Sequence, residues 1–145
     1  MTRGKERQPC AASQVSDATL EVLEHDVWPA PNHDSHLVCT CHALRKKPIG
    51  EFSVEDLRIM IGQRIGLRHL GPRALDVLEE NPWAEGDFYP GDLLNSLARD
   101  AEEFLLTQPQ LFERAKQIVR TAIASTSADC RPTPAICSFA QKHCS

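Results

Sequence analysis

Apolar residues recur every three to four positions along most of the chain, which is the spacing of one face of an α-helix. A first helix is predicted from Ser16 or Asp17 up to the Pro29–Pro31 segment, and a second from Ser35 to about Lys46. No stretch alternates apolar and polar residues for long enough to predict a β-strand. The pattern therefore predicts an all-α protein, a single compact bundle of about six short helices.

The third predicted helix has the clearest N-terminus. Ser53 is the expected N-cap and Asp56 stands three residues later, where a capping box places an acidic side chain. This helix is expected to end near Leu67. A fourth, short helix is expected to begin at Gly71-Pro72, because a proline at the first helical position lacks only an N–H that would have no helical partner anyway.

The segment 81–94 is rich in proline, glycine and aromatic residues. Its three aromatic side chains would be costly to leave in water, which predicts an ordered loop. Pro90 is expected to start a fifth helix, and Thr107 to cap a sixth. Residues 1–14 and 126–145 lack a periodic pattern, so flexible extensions are predicted on either side of a helical domain over residues 15–125.

Composition places the 145-residue chain among ordinary globular proteins, with 41% hydrophobic and 25% charged residues and a net charge of −4. Its mild acidity argues against a protein that coats nucleic acid. No run approaches the roughly 20 apolar residues that cross a bilayer, so no membrane partner is expected. The N-terminus lacks the apolar stretch of a secretory signal, which predicts a cytoplasmic location.

Cysteines and histidines raise the question of a metal site or a catalytic site. The six cysteines are Cys10, Cys39, Cys41, Cys130, Cys137 and Cys144. Residues two apart on a helix point about 200° from one another, so Cys39 and Cys41 are poorly placed to hold one zinc ion. No nucleophile elbow, metalloprotease helix or phosphate-binding loop is present. We therefore expect no metal, no cofactor and no enzymatic activity. A cysteine-based metal- or redox-sensing regulator stays the alternative, and a small hydrolase has the least support.

Charge is distributed unevenly along the chain. Residues 76–103 carry nine acidic residues and one base, a net charge of −8, whereas residues 45–75 carry +4 and residues 104–145 carry +3. Three aromatic residues lie among these acids. Carboxylates around aromatics suit docking on a basic protein, because opposite charge speeds encounter and aromatic side chains anchor interfaces. The alternative, in which the aromatics fill the core and the acids face water, remains open.

The stretch from about Asp26 to Leu94 resembles bacterial contact-dependent growth inhibition (CDI) immunity proteins. The resemblance rests on HALRKKPIGEF (42–52), FSVEDLRIMIGQRIGL (52–67) and RALDVLEENPWAEGDFYPGDLL (73–94). It implies a small cytoplasmic protein that binds the C-terminal toxin domain of a CDI effector and blocks it in the cell that makes it. Such toxins are often nucleases, whose basic surfaces would suit an acidic inhibitor.

Two groups of site residues follow from this resemblance and from the charge pattern. The expected toxin contacts are Asp76, Glu79, Glu80, Glu85 and Asp87, with Trp83 as an aromatic anchor. The expected structural motif, which shapes the loop and caps the fifth helix, is Phe88, Tyr89, Pro90, Gly91 and Asp92. Residues shared by many immunity proteins serve the scaffold more than the choice of one toxin. The chain departs from the family pattern at His69–Arg73, in its cysteines and in its tail after Ser125.

Overall fold

The computed structural model describes residues 17–31 and 35–144. This part of the chain contains eight α-helices and no β-strand, so the predicted all-α class is confirmed. The helices are α1 (Leu20–Glu24), α2 (His36–Leu44), α3 (Val54–Gly62), α4 (Leu67–Glu80), α5 (Asp92–Asp100), α6 (Glu102–Leu106), α7 (Pro109–Ala124) and α8 (Pro134–His143), with a 3-10 turn at Ile49–Glu51. None of these helices is long and apolar enough to cross a membrane.

Contacts divide the chain into two compact units, Met1–Phe52 and Ser53–Ser145. In the first unit, α1 begins later than predicted. Ser16 lies outside the described residues and Asp17 lies in a turn, whereas the Thr19 side chain accepts the N–H of Val22 and caps the helix. The predicted extension over residues 1–14 also lies outside the described part of the chain.

The first unit has a buried cation at its centre. The Arg45 side chain is 1% exposed, forms an ion pair with Glu24 and donates to the backbone carbonyl of Asp26. Its guanidinium carbon lies 4.2 Å from the ring centroid of Trp28. The same ring meets His42 edge-on, at 5.1 Å between centroids. Arg45 therefore retains a charge partner and a hydrogen-bond acceptor, as a buried cation requires.

The second unit begins with the predicted capping box. Ser53 accepts the N–H of Asp56 at 3.1 Å, and the Asp56 carboxylate accepts the N–H of Ser53 at 3.0 Å. Helix α3 ends at Gly62, five residues before the expected end. Gly66 then adopts the left-handed conformation (φ 66°) as the residue before α4.

The predicted start of the fourth helix at Gly71-Pro72 is wrong, because α4 begins at Leu67 and contains Pro72 in its interior. A proline there forfeits one helical hydrogen bond. The neighbouring Gly71 is buried, and a Cβ at this position would lie 3.1 Å from the ring of Phe104. Gly71 therefore serves the close packing of α4 against α6 rather than the start of a helix.

The predicted fifth helix is divided in two. It starts at Asp92 rather than Pro90, and it breaks at the buried residue Ala101 before α6. Thr107 does not cap α7, because its hydroxyl donates to the carbonyl of Phe104 at 2.6 Å and so closes α6. Helix α7 begins with Pro109 at its first turn.

Residues 134–143 of the predicted flexible C-terminal extension form helix α8 instead. Thr133 caps this helix by accepting the N–H of Ile136, and Pro134 occupies its first turn. Ile136 and Phe139, one turn apart, are both buried where α8 packs on α5 and α7. The apolar pair gives residues 134–143 enough buried surface to fold as part of the second unit.

Candidate functional site

The loop that joins α4 to α5 is held together by one buried carboxylate. Asp92 is 2% exposed, and its two oxygens accept the backbone N–H groups of Gly86 at 2.7 Å and Phe88 at 3.1 Å. The N–H of Gly91 donates to the carbonyl of Trp83 at 3.1 Å. Asp92 is also the first residue of α5, where a negative charge suits the helix dipole. The loop thus has a defined shape despite its proline and glycine content.

Two glycines in this loop have no room for a side chain. A Cβ at Gly86 would lie 2.5 Å from the Glu55 carboxylate and 3.3 Å from the Glu55 Cα atom. Gly91 has a φ of +92°, and a Cβ there would lie 2.9 Å from the indole of Trp83. These contacts explain both glycines in the EGDFYPGD segment, since any other residue would push the loop away from α3 or from Trp83.

Trp83 supports the loop from inside. Its side chain is 8% exposed, and its indole N–H donates to the Ser125 hydroxyl at 2.9 Å. Its backbone N–H donates to the Asn81 side chain at 3.0 Å. The ring is covered by its own protein, so burial does not favour the expectation that Trp83 anchors a partner, and that expectation stays a prediction.

Beneath the loop tip, α3 contributes a pair of opposite charges. Glu55 accepts the Nε–H of Arg58 at 2.7 Å and the backbone N–H of Asp87 at 2.9 Å. The hydrogen bond from Arg58 holds the pKa of the Glu55 carboxyl below its usual range. The guanidinium of Arg58 also lies 4.4 Å from the ring centroid of Phe88, within cation–π distance. Sequence analysis did not identify Glu55 or Arg58 as site residues.

The two remaining aromatics point outward. Phe88 is 67% exposed and Tyr89 is 39% exposed, so neither fills the core. Two carboxylates that precede Phe88 in the sequence, those of Glu85 and Asp87, are exposed too. Gly91 and Asp92 contribute to the shape of the loop through the contacts given above, and Pro90 is half-buried and forms an isolated β-bridge with Glu85. For Phe88 and Tyr89, burial gives no such support.

The acids of α4 are arranged differently from those of the loop. Arg114 of α7 donates to Glu79 at 2.8 and 2.9 Å and to Asp76 at 2.7 Å. These bonds lower the pKa of Glu79 and raise that of Arg114. Glu80, at the end of α4, is exposed and forms no ion pair with the described residues. Two of the expected toxin contacts are thus already paired with a cation of the same unit.

The cysteine-based alternative receives no geometric support. Among residues 17–31 and 35–144, no three His, Cys, Asp or Glu side chains are grouped so that they could hold a metal ion. Burial raises the pKa of the Cys41 and Cys144 thiols. A redox sensor relies on the thiolate, which a raised pKa disfavours.

The second unit presents a fixed loop with an outward aromatic ring and exposed carboxylates. These are features of surfaces that recognise other macromolecules. The chain matches the family of CDI immunity proteins over residues 22–115, about two-thirds of its length. It therefore belongs to that family, whose members are generally non-enzymatic. No curated protein and no solved structure matches the chain.

The matched region includes the whole loop and Arg114, but it ends before Ser125 and before α8. The tail singled out in the sequence as a departure from the family is thus outside the match. Ser125, the residue just before that tail, supports the site from behind, because its hydroxyl accepts the indole N–H of Trp83.

Proposed function

We propose that this protein binds and neutralises the toxin domain at the C-terminus of a CDI effector, in the cytoplasm of the cell that makes both. It acts by stoichiometric occlusion and catalyses nothing. Membership of the immunity family is the observation that carries this proposal. The second support is the acidic block over residues 76–103, which has a net charge of −8 and carries exposed carboxylates.

The toxin is proposed to be a nuclease with a basic surface. A nuclease must attract phosphate, so its substrate-binding face carries lysine and arginine. An acidic inhibitor is steered to such a face and competes with nucleic acid for it. This protein then needs no direct contact with nucleic acid, only with the protein that cuts it.

Within the acidic block, recognition is proposed to rest mainly on Glu80, Glu85 and Asp87. All three side chains are exposed. Asp76 and Glu79 make a smaller contribution, because a toxin lysine or arginine must compete with Arg114 for them. A toxin that draws Asp76 or Glu79 away from Arg114 must break an existing ion pair. Binding to an exposed carboxylate that has no such pair does not carry this free-energy cost.

Binding kinetics with a toxin domain test this proposal. The probe is the C-terminal toxin domain of a CDI effector whose gene is found next to that of this chain, inactivated in its catalytic site. We expect the double variant Glu80→Lys/Glu85→Lys to associate at least fivefold more slowly at low salt and to lose most of its salt dependence, because steering acts over about a Debye length.

Asp129→Lys is the matched control, since Asp129 is an exposed acid of the same unit outside the acidic block. It should associate like the wild type. Unchanged kinetics for the double variant at low salt would contradict the acidic surface while leaving immunity itself intact. Failure of the wild-type protein to bind this domain, or to protect cells that express it in active form, would contradict the proposed function.

A further inference from the structure

An exposed aromatic ring at the tip of a fixed loop is the feature that the immunity function does not yet explain. Phe88 and Tyr89 are the only aromatic residues among the exposed large hydrophobic side chains of the described chain. The other members of that group are Val22, Val27, Leu37, Leu106 and Ile123. Exposing two-thirds of a phenylalanine to water opposes folding, since burial of such a ring is favourable. A partner that covers the ring would remove this exposed apolar surface from water and so gain binding free energy.

The backbone of the loop tip is held by hydrogen bonds before any partner binds. Asp92 fixes the N–H groups of Gly86 and Phe88, and Glu55 fixes that of Asp87. The three hydrogen bonds hold three consecutive backbone N–H groups, which end at the aromatic residue Phe88. Ordering a loop is one of the main costs of association, so a loop that is already ordered binds more tightly than a mobile one with the same residues.

The surroundings of the ring indicate the chemistry of its partner. One face of Phe88 meets Arg58, whose charge is already shared with Glu55. The ring is 67% exposed in spite of this contact, so its outer face and edge are open. Glu85 and Asp87 provide exposed carboxylates next to it. A partner protein with an apolar cleft bordered by lysine or arginine side chains complements such a tip. The apolar walls would contact the Phe88 ring, and the basic side chains would pair with both carboxylates.

We propose that Phe88 is the anchor of the toxin-binding surface, inserted into an apolar cleft of the toxin that is rimmed by basic side chains. This inference rests on the proposed function and adds the residue on which binding depends most. Interface energy is concentrated in a few central aromatic or arginine side chains, with charged residues around them. Phe88 is then the centre, and Glu80, Glu85 and Asp87 belong to the rim.

The test compares Phe88→Ala with Leu106→Ala on the same inactivated toxin domain. Leu106 is the control because it is a 53% exposed apolar residue of the same unit at the end of α6. Phe88→Ala is expected to weaken binding at least tenfold, mostly through faster dissociation and equally at low and high salt. Leu106→Ala should stay within twofold of the wild type, and Phe88→Tyr should retain most of the affinity.

A second measurement does not depend on how the variant folds. The chain contains five phenylalanines, so fluorine-labelled phenylalanine gives few NMR resonances, and Phe88→Tyr assigns one of them. The Phe88 resonance should shift on saturation with the toxin domain. If Phe88→Ala binds within twofold of the wild type, or the resonance stays in place in the complex, the anchor is wrong although the immunity function stands. If the wild-type protein does not bind at all, the proposed function fails first.

Discussion

Two acid-rich regions of the second unit use their carboxylates in opposite ways. On α4, Asp76 and Glu79 are exposed by 68% and 45% and converge on Arg114, whose single positive charge balances one of their two negative charges at the protein surface. In the loop, the buried Asp92 accepts two backbone N–H groups, whereas Glu85 and Asp87 are exposed. The same residue type thus neutralises a cation in one region and shapes a backbone in the other.

The difference shows why a count of charges along the sequence overstates the charge offered to a partner. The block 76–103 contains nine acids, but Asp92 is inside and at least two others share an arginine. What distinguishes the loop is the exposed aromatic ring that its internal carboxylate holds in place. The following variants test whether the two regions differ as their geometry suggests.

Asp92→Ala should have the largest effect on stability. It leaves two N–H groups of the loop without their acceptor and removes a negative charge 4.0 Å from Arg58. Loss of a buried acceptor of this kind costs about 2 to 4 kcal/mol of unfolding free energy. Urea unfolding measures the change. Asp87→Ala, an exposed acid of the same loop, is the control and should stay within about 0.5 kcal/mol; equal effects in the two variants would remove the distinction between scaffold and surface.

Glu55→Gln should have an intermediate effect that depends on pH. The folded-state pKa of Glu55 is depressed by the hydrogen bond from Arg58, so its contribution is present above the ordinary glutamate pKa of about 4.3 and is lost as the pH falls below it. At pH 7 we expect a loss of about 1 to 2 kcal/mol, as for hydrogen bonds to a charged group.

Urea unfolding of both proteins at pH 7 and pH 3 checks this sign. The difference between wild type and Glu55→Gln should shrink from pH 7 to pH 3, because Glu55 begins to take up a proton as the pH falls toward its depressed folded-state pKa, whereas the glutamine of the variant stays neutral throughout. A difference that stays constant across this range would show that the Glu55 charge does not stabilise the loop.

Arg114→Ala should have the smallest effect on stability, at most about 1 kcal/mol, because partly exposed ion pairs contribute little and are screened by salt. Arg120→Ala, an exposed arginine of the same helix, is the control. Arg114→Ala also releases the Asp76 and Glu79 carboxylates from their ion pairs, so association with the basic toxin domain should become faster at low salt. An association rate that does not rise would confine recognition to the loop.

Local sequence patterns predicted structure well where a single side chain determines the geometry. The Ser53–Asp56 capping box lies where it was expected, because both of its bonds are made within four residues. Pro72 was placed at a helix start on the same kind of rule, and there the rule failed. Gly66 in its left-handed conformation had already set the start of α4, and the packing of Gly71 against Phe104 keeps the proline inside the helix.

The parts of the fold and the site that the sequence does not predict depend on contacts between residues far apart in the chain. The lack of a periodic pattern predicts a flexible tail where α8 lies, although Thr133-Pro134 followed by Ile136 and Phe139 carries a cap and an apolar pair. Arg58 was counted only as part of a basic segment. Its position three residues after Glu55 could have suggested an ion pair, but nothing local indicates that Phe88, 30 positions later, lies over it.

Each compact unit carries one of the two tryptophans of the chain. Trp28 lies against Arg45 and His42 in the first unit, whereas Trp83 is buried and bonded to Ser125 in the second. The indole emission spectrum depends on the polarity around the ring, so the two fluorophores report on separate units. A variant in which Trp28 is replaced by phenylalanine would follow the unfolding of the second unit alone, and the converse replacement would follow the first.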